Sequence, residues 1–452
     1  MKAKLCLHGV EIKHQAQLLG LVKKLLPQAG ISYKVKEKYF PDNDMYKCRI
    51  ARFQPKTRGA EADYRVLCSW GVLLVSDKLV NIADITLEFD SERPSVVASV
   101  ERLVERLLAG KQRFVLDEPD LSRRIALLRG CYFLDKLEGY AEADALTALR
   151  CHVPWHLYSI NKLWEQLLLS GGGQRPLWRQ LRVKLRRLRS VLSLVKPLFP
   201  EADKWKETLK ERADVLSNVR EYDVLLQTCE RLRMGQSRQE QTSGLQQQGL
   251  TSVVQSTMLP VDAAVPQLQR LLAGLRQQAQ VCTLQQLELN AITFELAQMH
   301  LALHRFAALP CEKGLREFFV QRLGKWATKI QQFPEVYPDL QDMEQLHRVR
   351  IKLKRFRYAL QSVPELQASP QLLRSLKYLQ DMLGLLHDDY VNGQYLEQLV
   401  AAHPELPELR YEVAMLRGYE QARADAAAEQ LTAQWQEFSR LLSEWIEELE
   451  RK

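Results

Sequence analysis

Nowhere in its 452 residues does the chain hold an uninterrupted apolar stretch near the ~18 residues a membrane-spanning helix needs. The opening "MKAKLCLHGVEIKHQ" has lysines but no apolar core of leader length, so a cytoplasmic protein is expected rather than a secreted one. Eight cysteines (6, 48, 68, 131, 151, 229, 282 and 311) include no C-x-x-C pair. That excludes the common zinc and disulfide frameworks and leaves reduced thiols acting as small buried hydrophobes. Catalytic motifs are equally scarce. His300 and His304 stand at i, i+4, but no Glu follows the first as H-E-x-x-H requires. His152 and His156 flank Pro154, which spoils helical spacing. "SGGGQRP" (170–176) lacks the Lys-Ser/Thr ending of a P-loop and reads as a loop. No Ser-His-Asp or Cys-His arrangement is signalled, and neither a metal nor a cofactor is expected.

What the chain does have is positive charge in two places. The net charge is +9. Residues 1–150 carry 25 basic and 20 acidic side chains, and residues 151–452 carry 39 and 35. Within that second span, residues 175–196 contribute +8 and residues 347–357 contribute +6, so the remainder is −10. Two basic patches on an acidic scaffold imply a site rather than general stickiness.

The length suggests two or three domains. In residues 1–117, "ISYKVKEKYF", "DMYKCRIARF", "DYRVLCSW" and "ADITLEFD" alternate as strands do, with helical stretches near 12–27 and 94–109. An α+β domain is predicted there, followed by a short helical connector at 118–154. From about residue 155 to 448 the apolar spacing is i, i+3, i+4, i+7 almost throughout. Residues 234–268, rich in Gln and Ser, read as an insertion between two helical halves, 155–233 and 269–448.

The two patches are helices of one design. In "LHRVRIKLKRFRYAL" (346–360), His347, Arg350, Lys354 and Arg357 fall within about 80° on a helical wheel. Leu346, Val349, Leu353, Phe356 and Leu360 form the neighbouring apolar stripe. In "LWRQLRVKLRRLRSVL" (177–192), Arg179, Arg182, Arg186 and Arg189 repeat the pattern beside Leu181, Leu185, Leu188 and Leu192, at a constant offset of 168. This is an internal repeat. "LSNVREYDVLL" (216–226) and "LGLLHDDYVNG" (383–393) extend it, with Arg220-Glu221 opposite His387-Asp388. Like charges at i, i+3 and i+4 destabilise a helix by roughly 0.2–0.5 kcal/mol per pair, and neither basic stretch contains an acid to offset this. Each cationic stripe borders an apolar one, so the charges should sit near the packed interior. Guanidinium held there suits phosphate through its planar donor fork. Facing each other, the two stripes, each about 15 Å long, would line a positive groove for a linear polyanion. The competing structural account has Glu221, Asp223, Asp388 and Asp389 pairing with the stripes. Lys184, Arg187, Lys352 and Arg355 lie on another face and are expected to point to solvent.

"HRVRIKLKRFRYAL" and "RQLRVKLRRLRSVL" resemble the two signature helices of the CHAD domain, the conserved-histidine α-helical domain, over residues 155–448. The resemblance implies a mainly α fold: a C-terminal pseudo-symmetric pair of four-helix bundles around a basic pore, preceded by the smaller α+β domain. It implies non-enzymatic binding of inorganic polyphosphate, with targeting to polyphosphate granules. The implied ligands are Arg179, Arg182, Arg186, Arg189, His347, Arg350, Lys354 and Arg357. The first signature usually opens with histidine where this chain has Arg179, so pH sensitivity should rest on His347 alone.

CHAD domains often follow a CYTH domain, a triphosphate tunnel, and the element order of residues 1–110 is similar to it. Lys34, Lys36 and Lys38 share one strand face, and Asp84, Glu88 and Asp90 share another. The opening E-x-E-x-K is absent, however; "VEIKH" offers Glu11 and Lys13 only. Without paired carboxylates for Mg²⁺, metal-assisted hydrolysis lacks its main part. A triphosphate or polyphosphate phosphohydrolase is therefore the alternative rather than the expectation. Nucleic-acid binding is the second alternative and is disfavoured: the stripes carry few aromatics, Phe356 and Tyr358 in the second, and no base-reading motif.

Overall fold

The structure, a computed structural model, describes residues 2–12, 14–28, 32–39, 46–56, 64–75, 78–118, 124, 145–234, 265–305, 315–333, 342–362 and 368–451. Most of the 118–154 connector and residues 235–264 of the Gln-rich stretch lie outside them, as does Lys13. The chain is mainly α-helical, with a smaller β-sheet subdomain at its N-terminus. Backbone packing divides it into two compact units.

The first unit comprises residues 1–210 and 284–315. Its antiparallel sheet contains β1 (Lys2–Gly9), β2 (Ser32–Tyr39), β3 (Tyr46–Lys56), β4 (Tyr64–Val75), β5 (Lys78–Asp90) and β6 (Phe114–Asp117) in the order β2-β3-β4-β5-β1-β6. The four alternating stretches are β2 to β5. β6 has only four residues, too few for alternation to declare itself. Helices α1 (Gln15–Gln28) and α2 (Pro94–Leu108) belong to this subdomain. α2 buries Val96, Val97, Val100, Leu103, Val104, Leu107 and Leu108 and packs on β5.

Three helices complete the unit's described core: α3 (Ala145–Leu169), α4 (Arg175–Leu194) and, far along the chain, α8 (Leu289–Arg305). α3 runs through Pro154, so the proline does not interrupt helical spacing between residues 152 and 156, contrary to the sequence reading. Proline forfeits one helical hydrogen bond. Burial of Val153, Trp155, Leu157, Tyr158 and Ile160 around it outweighs that loss. α3 ends where glycine is required: Gly171 and Gly172 have φ of 57° and 71°. The Gly172 and Gly171 amides bond the Leu167 and Leu168 carbonyls at 2.9 and 3.1 Å, closing the helix. Trp178 Nε1 then donates to the Gly172 carbonyl at 2.8 Å, fixing the entry to α4.

Edge strand β6 is covered by α3 and α8. The Phe114 amide donates to Asn290 Oδ1 at 3.1 Å and the Leu116 amide to Asn161 Oδ1 at 2.7 Å. Thr293 Oγ1 donates to the Phe114 carbonyl at 2.8 Å, and Asn290 Nδ2 reaches the carbonyls of Leu108 and Gln112, each at 2.9 Å. Polar side chains on otherwise apolar helix faces thus satisfy backbone groups that the sheet leaves open.

The second unit comprises residues 211–283 and 316–452. The boundary at residue 210 falls within α5 (Ala202–Val215); then come α6 (Ser217–Met234), α7 (Pro266–Gln286), α9 (Leu315–Gln331), α10 (Met343–Ser362), α11 (Pro370–Ala402) and α12 (Pro407–Arg451). α11 and α12 form a long hairpin, with α10 against α11. One apolar cluster joins Leu225, Leu226 and Cys229 of α6, Leu268 and Leu272 of α7, Leu396 and Leu399 of α11, and Leu409, Val413 and Leu416 of α12. Buried Glu412 caps α7: the Gln267 and Leu268 amides donate to its two oxygens at 3.2 and 2.7 Å.

Candidate anion-binding site

On α10 the apolar stripe Leu346, Val349, Leu353, Phe356 and Leu360 is buried. The four cationic positions beside it, His347, Arg350, Lys354 and Arg357, are half-buried, whereas Lys352 and Arg355 are exposed. On α4, Leu181, Leu185, Leu188 and Leu192 are buried and Arg182, Arg186 and Arg189 half-buried, with Arg179 exposed in the first turns. Lys184 and Arg187 are also half-buried, so their expected solvent-facing position is not observed. Charge density on α10 is moderated at one point that the acid-free window hides. The helix begins at Met343, and Glu344 pairs with Arg348 at 2.9 Å.

The α10–α11 seam carries the most developed geometry. The His347 and His387 rings stack with centroids 4.4 Å apart and 26° between planes. Arg350 Nη1 lies 3.3 Å from His387 Nδ1, and its Nη2 lies 3.5 Å from Asp388 Oδ1. That guanidinium crosses α11 at Gly384, where a Cβ would stand 3.4 Å from Nη2. Among the described residues, His347 Nδ1, Arg350 Nε and Arg357 Nε are buried without a hydrogen-bond partner. Burial first, then the neighbouring His387, Arg350 and Lys354, push the His347 imidazole below its usual range. Burial raises the Asp388 carboxyl, but its bond to His387 and the Arg350 charge overcome this and leave it below the usual carboxylate range. Asp381, also on α11, lies in the field of Lys377, Arg357, Lys354 and Arg350.

The other acids named from sequence have separate duties. Asp223 pairs with Arg276 of α7 at 2.6 Å in a buried bridge. Asp389 is pushed up by burial and lies near Arg417 and Asp425. His387 and Gly384 are seam residues that sequence reasoning missed. Their signal was present in "LGLLHDD", which matches the repeat but looked like a source of acids only.

The N-terminal carboxylates do not assemble. Asp84 is buried and bonded by His8 Nδ1 at 2.8 Å and Arg124 Nη1 at 2.6 Å, Glu88 pairs with Lys4 at 3.2 Å, and Asp90 with Arg93 at 3.7 Å. Glu11, held at φ 67°, gives both oxygens to Arg113 at 2.9 Å. Lys34, Lys36 and Lys38 occupy alternate positions of β2, opposite Gln54, Arg52 and Ile50 of β3. Among the described residues no group of three His, Cys, Asp or Glu could hold a metal ion, and no helix is long and apolar enough to cross a membrane.

A family model for the CHAD domain matches residues 164–397, slightly more than half of the chain. The chain belongs to the CHAD family. The matched segment begins inside α3, contains both basic helices and ends in α11, after the His387 turn. A similar solved structure is the crystal structure of the CHAD domain from the plant Ricinus communis. It is 23% identical, with a TM-score of 0.49, over 66% of this chain and 93% of that one. No curated protein matches the chain.

Proposed function

We propose that this CHAD protein binds inorganic polyphosphate without catalysis, using Arg179, Arg182, Arg186 and Arg189 of α4 with His347, Arg350, Lys354 and Arg357 of α10. The observation that carries the proposal is the half-burial of three matched cationic positions in both copies of one repeated helix, Arg182, Arg186 and Arg189 in the first and Arg350, Lys354 and Arg357 in the second. Half-buried guanidinium stems hold their charges in place before a ligand arrives. A polyphosphate chain, with a negative charge at each unit, offsets the like-charge cost along both stripes and releases counterions on binding. In the same proposal the halves 155–233 and 269–448 are pseudo-symmetric four-helix bundles that share a basic pore. The cellular role is that of a cytoplasmic protein recruited to polyphosphate granules.

The phosphohydrolase alternative, through a CYTH-like N-terminal domain, gains no support from Asp84, Glu88 and Asp90, each of which bonds a different basic partner. Filter binding of long-chain polyphosphate to the full chain tests the proposal. Charge reversal at Arg182 and Arg186, or at Arg350 and Lys354, should lower affinity at least tenfold, about 1.4 kcal/mol. Unchanged binding in both double variants would overturn it. A parallel competition with RNA and DNA should leave polyphosphate the preferred ligand.

A further inference from the structure

Resting on polyphosphate binding at these stripes, we infer that His387 is a further member of the site and that anion capture there takes up one proton at His387 Nδ1. That atom stands between two competing partners. Arg350 Nη1, a donor, is 3.3 Å away, and Asp388 Oδ1, an acceptor, is 3.5 Å away. With Nδ1 bare, the ring accepts from Arg350 and holds its guanidinium against α11. With Nδ1 protonated, that bond is lost, the new N–H turns to Asp388, and Arg350 is released toward the anion. The proton comes from solvent, and no covalent bond changes.

The surroundings select this histidine over its partner. His347 Nδ1 is buried without a hydrogen-bond partner among the described residues, so a second ring proton there would have nothing to bond. Two stacked rings 4.4 Å apart also resist carrying charge together, which limits the pair to one proton. The charged groups that bear on the stack are Arg350 and Lys354 from α10 and Asp388 from α11. Asp381 of α11 feels the same cations, and from α12 Glu420 bears on Asp388. In the free protein burial, and then the charges of Arg350 and Lys354, push the His347 ring toward its neutral form. A bound polyanion cancels those charges and favours one imidazolium in the pair. By linkage, the affinity for polyphosphate must then rise as pH falls through the histidine range.

Calorimetric titration of the full chain with long-chain polyphosphate, whose end groups are negligible, tests this between pH 5.5 and 8.5 at fixed ionic strength. Affinity should increase by up to about tenfold per pH unit across part of that range. Titrations in two buffers of different ionisation heat should count up to one proton taken up. H387Q can still accept from Arg350 but cannot be protonated, and it should flatten the profile. H347Q should bind more weakly yet keep the slope, and E420Q should also keep it. Should H387Q fail to fold, the proton count on the unaltered chain and H387N decide the matter. A flat profile with binding intact, or a slope that survives in H387Q, overturns this inference alone. Absence of binding at every pH overturns the polyphosphate proposal together with it.

Discussion

Glu420 of α12 is a buried acid with half of its needs met. Asn392 Nδ2 donates to Oε1 at 2.9 Å, while Oε2 is buried without a partner among the described residues. Burial pushes its carboxyl up to about 7. The native state therefore prefers the protonated acid. Its stability is greatest below the unfolded-state value near 4.5 and declines as pH rises through about 7, by roughly 3 kcal/mol. E420Q should raise the melting temperature at pH 8 and leave it nearly unchanged at pH 5; an equal gain at both values would refute the assignment. His300 has the opposite sign. Burial pushes it down to about 4, against the raising effect of its contact with the Lys4 carbonyl at 3.0 Å. Neutral His300 supports the fold above pH 6.5, and that support, also roughly 3 kcal/mol, is lost as pH falls toward 4. Urea unfolding at pH 7, 5.5 and 4.5 should show the loss, and H300Q should shrink it. The positions of the stripe residues were legible because charge and leucine alternate with helical period. His387 was not, because ring stacking leaves no trace in spacing and the repeat sets Arg220, not a histidine, opposite it.

Elements were legible to the extent that they are long and two-faced. β2 to β5, α1, α2 and both basic helices follow from period alone. β6 is short, and what holds it is a set of side chains distant in sequence, so no local window could announce it. N290A removes an acceptor for Phe114 and donors to three carbonyls. It should cost about 2–4 kcal/mol in chemical denaturation, whereas truncation of exposed Arg270 should cost under about 0.5. Glu412 acts at the scale of a helix end. E412Q retains one acceptor of two and loses the charge that favours the N-terminus of α7, so it should cost about 1–2 kcal/mol by the same measurement. Failure of either variant to unfold earlier than the parent would show that water replaces the lost bond.

For the molecule as a whole, charge placement outweighs charge sum. A net charge of +9 over 452 residues is modest, yet residues 175–196 and 347–357 together carry +14 and the rest of the chain −5. Polyphosphate affinity should therefore fall steeply with salt, and each stripe arginine changed to alanine should reduce the log–log slope by about one. Variants of the exposed Arg355 should leave the slope nearly as it was. The division into units was the least legible property. The stretch 284–315 meets the sheet through α8, whose apolar period resembles that of any bundle helix.

That return of α8 bears on how such a protein changes over generations. Modules that shuffle freely between genes meet their neighbours across solvated or plainly apolar seams. Here the backbone of β6 is completed by Asn161, Asn290 and Thr293, the last two more than 170 residues downstream. Recombination that swapped in a foreign N-terminal sheet would leave those three side chains buried with unmet hydrogen bonds. The sheet and the family's helices are bound to be inherited together.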